Sequence, residues 1–375
     1  MILMDLKADN FYCFNDFHIN FSYPKKIVGS YIENEFLAGR KNFRYKKANI
    51  LMGSNATGKT SLGRLFLSIF NFMDKKSLDL ITNDIADKSV EASFSMDFVV
   101  DLDEEYRLYR TKALFLPSEE KKYTSENTIV HVDYVDIRKN DNYETASARL
   151  DAIENVRNSG NYVAELEKIV GLGWFFVFPS DKPDRVTYDE KKEAVYLKIM
   201  ETVLKVLDPA ILSVDKLEAV ENSFVVRMKG NEVIVQDGQP AKKNVLSTGT
   251  ISGIDIASMI TSICIGDYGF YYCDEKFSFV HSDIERALLA TMISKLKPDT
   301  QLFFTTHNYD ILDMPLPKHS FNMLRKEIDN NLQRVTAVNV GDYLKKNTDS
   351  VRAAVENDLF LSAPSLDLLD IIDSL

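Results

Sequence analysis

The chain has 375 residues, 45% of them apolar, and a formal net charge of −11. That length and apolar content suit one large α/β domain with an insertion, or two domains, and the acidic balance excludes a general nucleic-acid binder while leaving local basic patches open. Three cysteines (Cys13, Cys264 and Cys273) show no paired spacing, which excludes a zinc site and a disulfide framework and suits a reducing cytoplasm. Met1–Leu6 carries Asp5 and no basic segment, so no signal peptide is expected. No charge-free apolar run of about 18 residues occurs, so no membrane span is expected either. The chain shows no internal repeat and no low-complexity tract.

Residues 2–22 alternate as two short strands, with a turn at Asn15-Asp16 and a stop at Pro24. Residues 25–47 are less regular. They hold Arg40, Lys41, Arg44, Lys46 and Lys47, with Phe43 and Tyr45 between them. Two readings stand side by side: a solvated basic loop, or a surface for adenine or nucleic-acid phosphate with a ring to stack on.

The apolar run Ala48–Met52 leads into Gly53, Ser54, Asn55, Ala56, Thr57, Gly58, Lys59, Thr60 and Ser61. This is the pattern G-x-x-x-x-G-K-[ST] between a strand and a helix. The two glycines let the backbone turn its N–H groups onto phosphate. Lys59 can reach the β- and γ-phosphates, and the Thr60 hydroxyl can ligate Mg²⁺. The run Ser61–Phe70 reads as a helix whose N-terminus faces the anion.

Strands are expected at Ala92–Val100, Tyr106–Thr111 and Thr128–Ile137, with 112–128 as loop. Trp174–Phe178 is a short apolar run, and Asp181–Asp184 is turn-like. Glu193–Leu207 reads as a helix ended by Asp208-Pro209, and a hairpin is expected around Gly230-Asn231. This gives three parts: 1–111 and 236–375 as the two halves of one nucleotide-binding fold, with 112–235 inserted between them.

Three further stretches follow in order. Leu246-Ser247-Thr248-Gly249-Thr250 opens an apolar-periodic helix, so it offers N–H groups and a hydroxyl to phosphate. Gly269–Glu275 is an apolar strand ending in two carboxylates. Asp274 suits the Mg²⁺ shell, and Glu275 suits a general base or water-orienter. Leu302–Asn308 is a strand ending in His307, which can reach the γ-phosphate or that water. The Ser247 turn does not easily reach phosphate held by its own Lys59, which points to two subunits face to face.

In these motifs the chain resembles ABC-type ATPases of the soluble branch, which includes the RecF-like and SMC-like heads and the "overcoming lysogenisation defect" ATPases. Asn10-Phe11, followed by Phe14 and Phe17, resembles that group's opening hairpin. Gly53–Ser61 matches its Walker A loop, and Phe270–Glu275 its Walker B strand. Leu246–Thr250 resembles the signature motif in the Ser-x-Gly-Thr form of phage-defence ATPases. Val280-His281 stands at the D-loop, and Thr305–Asn308 at the switch histidine. The resemblance covers roughly the first 100 residues and 245–312.

It implies an α/β head, a mixed β-sheet flanked by helices with an inserted α+β region, that binds ATP and Mg²⁺. It also implies a homodimer or higher homo-oligomer in which Ser247, Thr248 and Gly249 act in trans. Departures qualify it. No glutamine stands between Thr60 and Gln236, so the usual Q-loop residue is missing. Thr248 and Thr250 replace the usual Gly and Gln or Glu. The insertion lacks a long heptad coiled coil and a Cys-x-x-Cys hook, and no Toprim-like acidic cluster follows. The reading is therefore an ATP-gated switch controlling a nuclease or toxin effector in bacterial anti-phage defence. The alternatives are a repair-type head binding DNA directly, or a nucleotide-stabilised scaffold with little turnover; nucleic acid is thus a partner either directly or through the effector. A C-terminal amphipathic helix is expected, with Leu366, Leu369, Ile372 and Leu375 on one side and Asp367, Asp370 and Asp373 on the other; docking and core packing are both open to it.

Overall fold

Burial alternates from Asp5 of the first strand onward, after three buried residues at its start. In β1 (Ile2–Asp9) and β2 (Phe17–Asn20), Leu6, Ala8, Phe17 and Ile19 turn inward, while Lys7 stands opposite His18 outside. The computed structural model describes residues 1–27, 29–103, 105–153, 161–179, 190–218, 220, 222–242, 245–329, 332–346 and 348–360. The expected C-terminal helix and the Asp181–Asp184 turn lie outside the described residues.

A short hairpin follows, β3 (Phe36–Leu37) and β4 (Arg40–Arg44). Next comes β5 (Ala48–Met52), buried along its whole length as expected of a strand covered on both faces. After the loop at 53–58 come α1 (Lys59–Lys75) and α2 (Asp79–Thr82). A long hairpin, β6 (Ala92–Leu102) and β7 (Glu105–Phe115), then pairs with β8 (Thr128–Asp136). β7 runs four residues past the expected end at Thr111. The charge of Lys112 interrupts the apolar run, yet it sits at an outward position of the alternation that runs from Tyr109 to Phe115.

The middle of the chain holds α3 (Tyr143–Asp151), α4 (Tyr162–Leu166), β9 (Trp174–Val177) and α5 (Glu190–Leu207). A small antiparallel sheet follows, from β10 (Ile211–Lys216), β11 (Ser223–Met228), β12 (Asn231–Gln236) and β13 (Gln239–Pro240). The expected hairpin is there, with Met228 opposite Asn231. The last part runs α6 (Thr248–Ile265), β14 (Phe270–Asp274), α7 (Ser282–Lys295), β15 (Gln301–Thr305), β16 (Phe321–Asp329), β17 (Leu332–Asn339), α8 (Val340–Tyr343) and α9 (Val351–Glu356).

Two larger sheets organise these elements. One is antiparallel, in the order β2-β1-β6-β7-β8. The other is mixed, β17-β16-β5-β15-β14-β9, with only β17 antiparallel to its neighbour. The stretch 112–235 supplies β8 to the first sheet, β9 to the edge of the second, and most of the small sheet, whose last strand lies just beyond it. The carboxyl ends of β5, β15, β14 and β9 therefore share one edge of the mixed sheet, where ligand sites of open α/β sheets form.

The two faces of that sheet carry separate cores. Leu51, Phe270, Tyr272 and Phe303 pack with Leu62, Phe66 and Phe70 of α1. Ile50, Tyr271, Cys273 and Phe304 pack with Ile254, Ile256 and Ile260 of α6. By length and composition α6 is apolar enough to span a membrane, but 72% of it is buried inside the protein. Its hydrophobicity belongs to this core.

Candidate functional site

The loop after β5 folds as its residues require. Gly58 sits at φ +94°, and a Cβ there would meet Cys13 Sγ at 2.9 Å; Gly53 is also at positive φ. Ala56 takes a left-handed conformation as well, at φ +60°. Thr57 Oγ1 donates to Ser54 O at 2.8 Å, which closes the loop on itself. Asn55 and Ala56 are exposed at its tip, Thr60 is exposed at the start of α1, and the Ser61 hydroxyl meets the Cys13 thiol.

Lys59 leaves the first turn of α1 and folds back over the loop. Its ammonium is buried, donates to Gly53 O (3.0 Å) and Ser54 O (3.2 Å), and lies 3.5 Å from Glu275 Oε1. Burial pulls its pKa down and Glu275 opposes that shift. Tyr272 Oη donates to Lys59 O at 2.9 Å, fixing α1 against the strand that carries the carboxylates.

Asp274 and Glu275 leave β14 in opposite environments. Asp274 is fully buried; burial raises its pKa, and the Thr305 and Thr60 hydroxyls beside it work the other way. Its Oδ1 accepts from Thr305 Oγ1 at 2.7 Å, while its buried Oδ2 has no hydrogen-bond partner. A buried carboxylate oxygen left without a donor fits a cation ligand. Glu275 is half-buried, and its Oε1 lies 2.8 Å from His307 Nε2. That contact, then Lys59, holds its carboxyl below the usual range. Its N–H donates to Thr305 Oγ1 at 2.9 Å, so Thr305 braces both acids.

The structure thus brings Lys59, Thr60, Asp274, Glu275 and His307 together. Ser247 is placed elsewhere. It caps α6, accepting from Thr250 N–H at 3.1 Å. α6 lies across the mixed sheet from α1, so Thr248 and Gly249 start a helix on the other face. A Cβ on Gly249 would sit 2.7 Å from Phe279 O. The Ser247 turn therefore packs on the segment that follows Glu275, and the Phe279 side chain there is 69% exposed.

Most of the basic stretch at Arg40–Lys47 is folded inward, with Lys41 exposed and Arg44 half-buried. Lys46 and Lys47 are buried; Lys46 Nζ donates to Asn20 O at 2.7 Å, and Lys47 Nζ to Glu33 O at 2.9 Å and Leu296 O at 3.3 Å. Phe43 and Tyr45 are fully buried, so neither ring can stack a base. Arg40 is spent on Ile137 O and the Tyr106 ring. The lysines are structural because they saturate carbonyls at the strand entry.

Sequence reasoning misses Glu285. It is buried on α7, and accepts from Thr306 Oγ1 (2.7 Å) and Asn308 Nδ2 (2.8 Å), clamping both neighbours of His307. Burial raises its pKa. Its only sequence signal was a charge in a helix otherwise packed through Leu289 and Met292. Glu285→Ala leaves two donors without an acceptor, so a loss of about 1–3 kcal/mol is expected in urea unfolding. Glu285→Gln, which keeps one acceptor, should lose less.

No protein-family model matches the chain, and no curated protein matches it in sequence. Among solved structures it is similar to the SmcHead bound to the C-winged helix domain of ScpA, at 13% identity over 92% of this chain and 100% of that one, with TM-score 0.52. It is also similar to the Smc head domain with an extended coiled coil, derived from Pyrococcus furiosus and bound to the C-terminal domain of ScpA, at 11% identity over 96% and 100%, with TM-score 0.50. The likeness is one of fold, a mixed sheet flanked by helices. More narrowly, the fold is that of SMC heads, the ABC-type ATPase fold.

Proposed function

We propose that the protein is a Mg²⁺-dependent ATPase head that dimerises on ATP and controls a protein partner through that closure. The observation that carries this reading is the convergence of Lys59, Glu275 and His307 at one edge of the sheet, beside a buried Asp274 oxygen without a donor. Thr60 and Asp274 are the groups that would hold Mg²⁺, which when bound neutralises charge on phosphate oxygens. Lys59 exchanges its two loop carbonyls for phosphate oxygens. Glu275, kept ionised by His307 and Lys59, accepts a hydrogen bond from the attacking water and orients it. A carboxylate held below its usual pKa is a weak base, so orientation outweighs early proton removal. His307 donates from Nε2 to Glu275 Oε1 and so holds that oxygen in place, at the strand end where it can reach the γ-phosphate.

Ser247, Thr248 and Gly249 act from the facing subunit, since their helix lies across the sheet from Lys59. The proteins of similar fold were solved with a ScpA domain bound, which supports a protein partner here. In its narrower form, the reading makes that partner a nuclease or toxin in cytoplasmic anti-phage defence. Support for that form is the Ser-x-Gly-Thr turn at Ser247–Thr250.

Complementation tests the shared site. Lys59→Ala and Ser247→Arg chains should each lack turnover. Mixed together, they should regain up to about half the wild-type rate per heterodimer, because one of two sites then has both intact halves. Mixtures as inactive as either variant alone would place Ser247 outside the site.

A further inference from the structure

Glu275 has φ +41°, a left-handed conformation that is uncommon for a residue with a Cβ and persists where neighbours over-determine it. Its N–H donates to Thr305 Oγ1 and its carbonyl accepts from Ser278, and the residue that follows is anchored as well. The Lys276 ammonium is 5% exposed and pairs with the buried carboxylate of Asp255. It also lies 3.3 Å from Phe178 O and 3.4 Å from Pro179 O. Asp255 stands on α6 eight residues beyond Ser247, two turns into that helix. Phe178 follows β9, and its ring lies 3.8 Å from the guanidinium of Arg64 on α1.

One ammonium therefore ties three segments: the helix that starts at Ser247, the end of β9, and the backbone of Glu275. A buried ion pair is a poor stability device, because desolvation offsets most of its attraction. Its place directly after Glu275 suits a different role. We propose that Lys276 and Asp255 are positioning residues that set the Glu275 carboxylate against α6, so that a shift of α6 is felt at the carboxylate facing Lys59. This rests on the ATPase reading. Neither residue needs to touch ATP; each acts through Glu275, so kcat should change and KM should not.

The test uses the full chain and Mg²⁺-ATP. The double variant Asp255→Leu/Lys276→Met removes both charges at similar volume and leaves no buried charge unpaired. Asp255→Asn, which keeps an acceptor for the Lys276 ammonium but leaves its charge unpaired, is the second variant. With the melting midpoint within a few degrees of wild type, the double variant should show KM within about twofold and kcat down at least tenfold, with Asp255→Asn between. Should the double variant not fold, Asp255→Asn alone decides: kcat down severalfold at unchanged KM supports the proposal, and unchanged kcat overturns it. A folded double variant with wild-type kcat, or one that changes KM alone, also overturns it. Wild type without any turnover removes the ATPase reading and the proposal together, whereas equal turnover in wild type and double variant removes only the proposal.

Discussion

Glu275→Gln should lower steady-state phosphate release by about 10²- to 10⁴-fold, the range general-base and water-orienting groups contribute. ATP binding should survive. The amide keeps the shape of the side chain and its contacts with Lys59 and His307, 3.5 and 2.8 Å away in the native protein. It loses the negative charge that orients water and the acceptor that takes its proton. Phosphate release and equilibrium binding of a fluorescent ATP analogue separate the two effects. Turnover equal to wild type would show that Glu275 is not the water-facing group, and would favour a scaffold that holds nucleotide without using it.

Lys59→Ala should remove nucleotide binding itself. Lys59 is the ammonium at the phosphate loop, and it already donates to Gly53 O and Ser54 O. Alanine leaves those carbonyls facing the phosphates with no cation between. Affinity should fall by at least about 10²-fold, since charge-assisted contacts of this kind carry about 1.5–3 kcal/mol each and the repulsion adds to the loss. Titration with the same analogue measures it. The fold should hold, because among the described residues the side chain bonds to its own loop and to Glu275. Retained affinity would mean that the nucleotide, if any, binds elsewhere.

The conformation of the loop at 53–58 was legible because its residues answer local demands. Gly58 needs positive φ, Lys59 needs a helix start, and both needs are met within one short stretch. Asp274, Glu275 and His307 were legible as the ends of two apolar strands, and parallel pairing of β14 with β15 then brought them together. β9 was recognised as an apolar run but not placed. Four residues, Trp174–Val177, say nothing of a partner that follows almost a hundred residues later.

Charged residues misled in both directions. Lys46 and Lys47 read as solvent-facing because a lysine usually is, and only the folded chain brings the carbonyls of Asn20, Glu33 and Leu296 around them. Asp255 and Glu285 sit in helices whose packing hides them, and their partners, Lys276 and Thr306 with Asn308, come from separate segments. Local pattern thus located the candidate site, while long-range packing chose which polar groups surround it.

The decisive measurement is the mass in solution of Glu275→Gln, by light scattering, with and without Mg²⁺-ATP. An ATP-gated head that shares its sites across two subunits should double its mass with Mg²⁺-ATP and return to its starting mass when nucleotide is removed. The same mass under both conditions, with ATP shown to be bound, would contradict closure of two heads around ATP.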